Sequence, residues 1–479
     1  MDMRLFFLSI ALLGLFNDFP LFPTSATFRS PSAVLFALVP VSFVIASATA
    51  RSTRAIRLRR EYLFLAAILS WIVVSFGANY FRILQLDSRE ITGIDVFLRA
   101  LGLLSLNLAA VLITASCLPG TAEEVLRKAR QYMLISFLIV FPYALLEVIY
   151  YLTFASWAGH WLALIDPFVH ARRGSAFLEH RVRGLAFEAS YFGVYCSVVL
   201  PWLLSYLFQS GSKRIWIALL LVFFVVFVVL SQSRTAYVVT VFEAVVYVAL
   251  AYWYGRGSRL KLAFKFAIVA AICVAAVVVV SGGTAIAVAE SLLSNQNDSN
   301  LTRLASQQAS FEVGMANPAF GVGLGLAGAY VPDYYPSYAW EVSRMPFWAS
   351  ERARALASPS FGLFAGVVAE LGIPALIGLL GIVTFFIFRI LKYARHKRRL
   401  SGKTDVLGIA LLVSSLGVFA ASFGLQGYTF AGYWLLSTLA LVYSDPRRHR
   451  PENLGSDAPR TTAPVRFADS ECSGSLRSR

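Results

Sequence analysis

Two arginines, Arg181 and Arg183, and, inside an apolar run, Glu188 stand close together between Glu179 and Tyr195, which reads EHRVRGLAFEASYFGVY. Two more arginines follow at the heads of later segments, Arg234 in LSQSRTAYVV and Arg303 in LTRLASQQASFEV. Arginine presents a planar fork of donors that matches phosphate or carboxylate with two bonds at once, whereas lysine is a point charge. Arginines at the mouths of apolar segments therefore point to capture of an anion, phosphate-bearing above all. The plainer reading is that each snorkels to a polar surface or pairs with a nearby acid such as Glu179, Asp333 or Glu351.

The elements that must position these residues are apolar and long. The 479 residues are 58% hydrophobic and 14% charged, with mean hydropathy +0.68, where a soluble domain carries about 25% charge. Runs such as Ile215–Leu230, Phe264–Val280 and Leu376–Phe388 with its flanks approach the roughly 20 apolar residues that cross a bilayer. The chain reads as an all-α, polytopic integral membrane protein of about 12 transmembrane helices by that length criterion. They are expected near 4–20, 31–50, 61–80, 96–118, 131–155, 185–208, 215–231, 235–254, 262–281, 358–388, 406–424 and 428–443. The transmembrane domain would span 1–443, with one large outer loop at 282–358 inside it and a disordered tail at 444–479. Met1–Phe16 is apolar without a small-residue cleavage site, so no cleaved leader is expected.

Charge orients this arrangement. Of the 42 basic residues, 29 fall in alternate loops and the tail, the richest being RILKYARHKRRLSGK. By the positive-inside rule that side is cytoplasmic and carries both termini. The net charge of +16 is thereby explained without a nucleic-acid partner. The thirteen basic residues left on the outer side are all arginine, Arg181, Arg183, Arg234, Arg303 and Arg344 among them. Cys117, Cys196, Cys273 and Cys472 lie far apart, with neither metal-ligand spacing nor a disulfide framework. No metal and no cofactor are expected.

Within the outer loop, Leu301–Val313 fits an amphipathic helix with Leu301, Leu304, Ala305, Ala309 and Phe311 on one side. In ANPAFGVGLGLAGAY, Gly321, Gly323 and Gly325 permit a tight backbone whose N–H groups could face an anion, or form an ordinary turn. The aromatic run Val331–Trp348 suits either a membrane-interface belt or stacking on sugar rings. Glu147, Glu188, Glu243, Glu370 and Arg234 lie at membrane depth, where ionisable groups are costly and so functional candidates. Glu188 is expected one turn into its span, sharing a cavity with Arg183. The structural alternative is that Glu188 and Arg234 neutralise one another between helices.

The order of these motifs resembles the O-antigen polymerase and O-antigen ligase superfamily of bacterial envelope glycosyltransferases. It runs Arg-Gly-x3-Glu (Arg183 to Glu188), Ser-Arg-Thr (Ser233 to Thr235), Arg303, Asn-Pro-x2-Gly-x-Gly-x-Gly (Asn317 to Gly325) and ELGI (Glu370 to Ile373). The resemblance implies an all-helical membrane glycosyltransferase of the type C-like fold, with its site on the periplasmic face of the bacterial inner membrane. The donor would be an oligosaccharide on undecaprenyl pyrophosphate and the acceptor a sugar hydroxyl. Membrane lipids and a chain-length regulator protein would be the partners. Carried over by position, Arg183, Arg234 and Arg303 would hold the pyrophosphate and stabilise its growing charge. Glu188 would orient an arginine or act on the acceptor hydroxyl. Arg181, Gly321, Gly323, Gly325, Tyr330 and Arg344 complete the expected substrate contacts. The ligase branch typically has a His near the span bearing ELGI; here Ala357–Phe364 reads ASPSFGLF. His160, His170 and His180 lie in another loop and read as ordinary surface residues. The missing His favours a polymerase, with ligation to a lipid core or protein as the runner-up. A flippase or transporter would show repeat symmetry between halves, which the sequence lacks.

Overall fold

The computed structural model describes residues 4–15, 30–49, 61–86, 91–170, 181–186, 188–208, 214–254, 298–342, 345–350, 360–401, 404–424 and 430–449. Among these the regular structure is helical, with no β-strand. In chain order the main helices are α1 (Arg4–Ala11), α2 (Pro31–Thr49), α3 (Glu61–Gln85), α4 (Gly93–Cys117), α5 (Ala122–Thr153), α6 (Ser156–Val169), α7 (Ala189–Leu207) and α8 (Arg214–Leu230). They continue as α9 (Arg234–Tyr254), α10 (Asp298–Ala316), α11 (Leu363–Ser401), α12 (Val406–Ala421) and α13 (Ala431–Tyr443). Short turns at Ala327–Tyr330, Val331–Tyr334, Ser337–Glu341 and Met345–Ala349 lie between α10 and α11.

Among the described residues, six helices are long and apolar enough to cross a membrane: α3 from Ala66, α4, α5, α7, α9 to Trp253, and α11 to Arg399. Pro31–Ile45 in α2, Ile215–Leu230 in α8, α12 and α13 are apolar but shorter. Each of the expected span ranges overlaps one of these helices or α1, except 262–281, which lies outside the described residues. Two differences matter. Helix α5 starts at Ala122 and runs 32 residues, about 48 Å at the α-helical rise, because Thr121 and Glu124 close a capping box there. The stretch after it, expected to be loop, forms α6.

The bundle has two chemically distinct ends. At one, the basic loops converge: Lys397 Nζ lies 2.9 Å from Glu123 Oε2, Arg398 Nη1 donates to Trp253 O at 2.9 Å and Arg448 Nη1 to Leu118 O at 2.6 Å. The last of these, with the turn Pro446–His449, orders the first residues of the segment expected to be disordered; residues 450–479 lie outside the described residues. The opposite end holds the Arg181–Glu188 segment, the α8–α9 turn and α10.

Small residues set the helix spacing, as they do where apolar burial alone gives helices no reason to associate in lipid. A Cβ on Gly193 of α7 would fall 2.9 Å from the Ala236 backbone nitrogen of α9, and one on Gly417 of α12 would collide with Glu243. Ser414 Oγ ties α12 to α7 through Val198 O at 2.9 Å. Helix α10 and the turns after it build a second core against α3, α4 and α11, with Ala305, Ala309, Val313, Val322, Leu324 and Val331 inside it.

Candidate functional site

Arg183 is held in the interior, only 3% exposed. Its Nη2 donates to Asp166 Oδ1 at 2.6 Å, and its Nε lies 3.7 Å from Glu147 Oε1. The same Asp166 oxygen accepts from Tyr143 Oη at 2.8 Å and lies 2.8 Å from His170 Nδ1, whose Nε2 faces Ala186 O at 3.0 Å. Glu147 Oε2 accepts the backbone N–H groups of Arg183 at 3.1 Å and Gly184 at 2.8 Å. Gly184 turns the chain there at φ +56°, the left-handed region that glycine reaches at no steric cost. Burial raises the Asp166 carboxyl, but the His170 and Tyr143 bonds and the Arg183 charge outweigh it and hold it below the usual carboxylate range.

Two expectations change here. Arg183 and Glu188 do not share a cavity: Arg183 is a buried staple that fixes the 181–186 segment to α5 and α6. His170 is 1% exposed, a member of that staple and not a surface residue. His180 lies outside the described residues, and His160 is on the exposed face of α6.

The staple leaves Arg181 and Glu188 to face the end of the bundle. Arg181 Nε and Nη2 donate to Ser231 O and Gln232 O, each at 3.2 Å, and Val182 N donates to Leu230 O at 3.0 Å. Gln232 takes φ +50° in this tight α8–α9 turn, and the Ser233 hydroxyl accepts from Ala236 N at 3.3 Å to open α9. Arg234 is thus set half-buried beside the carbonyls that Arg181 grips. Glu188 is the N-cap residue of α7, in extended conformation, and not one turn inside the span. Half-buried Arg303, on α10, is within electrostatic reach of Glu188, Tyr191 and Arg181. Burial pushes its guanidinium below the ordinary value, Glu188 and Tyr191 oppose that, and Arg181 adds to it.

Helix α10 presents the packed face differently from expectation. Ala305, Ala309 and Val313 are buried with Thr302, Ser306 and Ser310, while Leu304 and Phe311 are about half exposed. The face is small because α10 presses closely on α11: a Cβ on Gly314 would sit 2.8 Å from the Val368 carbonyl carbon.

The glycine-rich loop does not form an anion cradle. Helix α11 is broken at Gly372 (φ 80°, ψ 178°), which leaves carbonyls of the preceding turn without helical donors. Val322 N and Gly323 N fill that need, donating to Ala369 O and Glu370 O at 2.9 Å each, and Ile373 N donates back to Pro318 O at 2.9 Å. Gly321 N donates to Asn317 O at 2.9 Å, and Gly325 N serves the Glu370 carboxylate. Trp71 Nε1 reaches Leu371 O at 2.9 Å, stacking its ring on Phe320. Gly321, Gly323 and Gly325 thus spend their N–H groups within the protein, docking the loop on the α11 break. Tyr330 is half-buried within reach of the Arg82 charge, and Arg82 Nη1 donates to Asn317 Oδ1 at 2.6 Å. Arg344 lies outside the described residues.

Sequence reasoning misses Asp166, Tyr143, Tyr191 and the buried role of His170. The available signal is Asp166 four residues before His170, one face of a helix, in a stretch that reads as loop. An apolar cavity of about 490 Å³ opens between α3, α4, α11, α12 and α13, with Trp71, Leu108, Ile382 and Trp434 among its walls and Glu370 at one edge. Among the described residues no cluster of His, Cys, Asp and Glu could hold a metal ion.

No curated protein matches the chain. Residues 219–380 match a family model described as O-antigen ligase. That segment holds Arg234, Arg303, the glycine-rich loop and the Gly372 break, while Arg181, Arg183 and Glu188 precede it. Over those residues the chain matches the O-antigen polymerase and ligase superfamily that its motif order resembles.

Proposed function

We propose that this protein extends lipid-linked oligosaccharides, transferring glycan from undecaprenyl pyrophosphate to a sugar hydroxyl on the periplasmic side of the inner membrane. The observation that carries this reading is that Arg303 lies within electrostatic reach of Glu188 and Arg181 at the end of the bundle away from the basic loops. Under the positive-inside rule the basic end is cytoplasmic with both termini, and the arginine end periplasmic. The bond from the donor sugar's anomeric carbon to pyrophosphate breaks, and a bond to the acceptor oxygen forms. The acceptor's proton goes to a base, for which Glu188 is the candidate, and undecaprenyl pyrophosphate leaves as an anion. Arg303 and Arg234 offset the charge that grows on it. The apolar cavity suits a hydrocarbon chain, as a lipid-linked substrate requires. A chain-length regulator is the protein partner this reading calls for.

The family model's description favours a second reading, transfer of finished glycan to a different acceptor such as a lipid core or protein. Deletion in cells separates the two. Surface glycan reduced to single repeats, where an independent ligase exists, supports the polymerase. Full-length polymer stranded on undecaprenyl pyrophosphate, with none transferred, would reject it in favour of the ligase.

A further inference from the structure

Helix α6 is turned inside out. Its buried positions include Ala158, Leu162 and Asp166, while Trp157, Trp161, Leu164 and Phe168 are 54%, 50%, 50% and 70% exposed. Those four fall at successive spacings of four, three and four, one stripe of an α-helix. A helix in water buries Trp and Phe and exposes Asp; exposed apolar surface of this kind marks a binding face. At 14 residues it measures about 21 Å, too short for a hydrocarbon core of about 30 Å. Tryptophan and other large apolar side chains along one face are the composition of a helix lying at the headgroup boundary. The stripe continues from exposed Leu152 and Phe154 at the adjoining end of α5, which also exposes Ile135, Leu138 and Ile139 lower down its membrane-spanning length.

We propose that α6 lies in the plane of the membrane interface, its Trp157–Trp161–Leu164–Phe168 face in the lipid of the leaflet nearest Arg181, and that Asp166 on its opposite face transmits that position to the 181–186 segment. The occupant is the phospholipid bilayer. The link is the pair of contacts from Asp166, to Arg183 Nη2 at 2.6 Å and His170 Nδ1 at 2.8 Å, with His170 Nε2 on Ala186 O at 3.0 Å.

The test uses the full chain in nanodiscs of phosphatidylethanolamine and phosphatidylglycerol. Nitroxide labels are placed singly at Ser156→Cys and Leu164→Cys, with the native cysteines replaced by serine. At 164, collisions with oxygen should exceed those with a water-soluble nickel chelate several-fold, and at 156 the preference should reverse. Nickel access at 164 equal to that at 156, or a label immobilised and shielded from both by protein or by a second copy, overturns the assignment. Should the cysteine-free chain fail to fold, brominated phospholipid gives the same answer: Trp157→Phe with Trp161→Phe should remove part of the quenchable tryptophan fluorescence, and an unchanged quenched amplitude contradicts it. The link is read by hydrogen exchange. Trp157→Glu with Trp161→Glu should speed exchange of the Val182–Ala186 amides about tenfold and leave α12 unchanged; unaltered protection of those amides removes the link. None of these readouts needs catalysis, so they stand or fall apart from the glycosyl-transfer reading.

Discussion

Arg183 Nη2 lies 2.6 Å from Asp166 Oδ1, with the two side chains 4% and 1% exposed. An arginine so placed positions the chain. Removing one partner leaves an uncompensated buried charge, which costs about 3–5 kcal/mol. Asp166→Asn and Arg183→Ala are therefore each expected to lower the melting temperature in nanodiscs markedly. The double variant should lose less than the sum, since the two share one interaction.

The same pair gives stability a pH dependence. Despite its burial, Asp166 is held below the ordinary aspartate value of 3.8 by His170, Arg183 and Tyr143. A carboxyl depressed on folding stabilises fully above its unfolded pKa, and that contribution is lost as pH falls through the folded one. Its contribution should be flat from neutral pH down to the unfolded carboxyl range near 3.8 and decline below it. Melting temperature against pH checks this: the acid decline should be shallower in Asp166→Asn than in wild type.

Arg303 should need its fork as well as its charge. Arg303→Ala and Arg303→Lys are expected to slow transfer roughly 30- to 1000-fold, the worth of about 2–4 kcal/mol of transition-state stabilisation. Melting temperature should change little, because Arg303 lies half-buried at the bundle end. Wild-type turnover in both variants at equal expression removes it from the site.

Gly372 tests the docked loop. At φ 80°, a Cβ there would sit 2.5 Å from Ala319 O, a backbone atom that cannot yield cheaply. Gly372→Ala is expected to destabilise by about 1–3 kcal/mol, the range for a strained backbone position, and to expose the Asn317–Leu326 segment to proteolysis. Unchanged melting and unchanged cleavage contradict the docking.

The membrane helices and α10 are legible in the sequence because length, apolarity and periodicity are local properties. The interior of the site is not. Arg183 meets Asp166 and Glu147 across separations of 17 and 36 residues, and nothing in its own neighbourhood marks it as buried. The buried face of α10 defeats a hydrophobicity pattern because close packing on α11 selects small residues there and leaves Leu304 and Phe311 outside. The glycines in Asn317–Gly325 stand out as special, but their purpose depends on a break in α11 about fifty residues later, which only the fold reveals. Helix α6 is hidden because its apolar stripe faces away from the protein.

We propose polymerisation, in which the arginine end of this bundle joins one lipid-linked glycan to another. Its most direct measurement is to give purified protein only undecaprenyl-pyrophosphate-linked repeat units and resolve the products by length. The expected result is a ladder of longer lipid-linked chains with matching release of undecaprenyl pyrophosphate, abolished by Arg303→Ala. Unchanged single repeats, from protein that transfers glycan once a lipid-core acceptor is added, would contradict it.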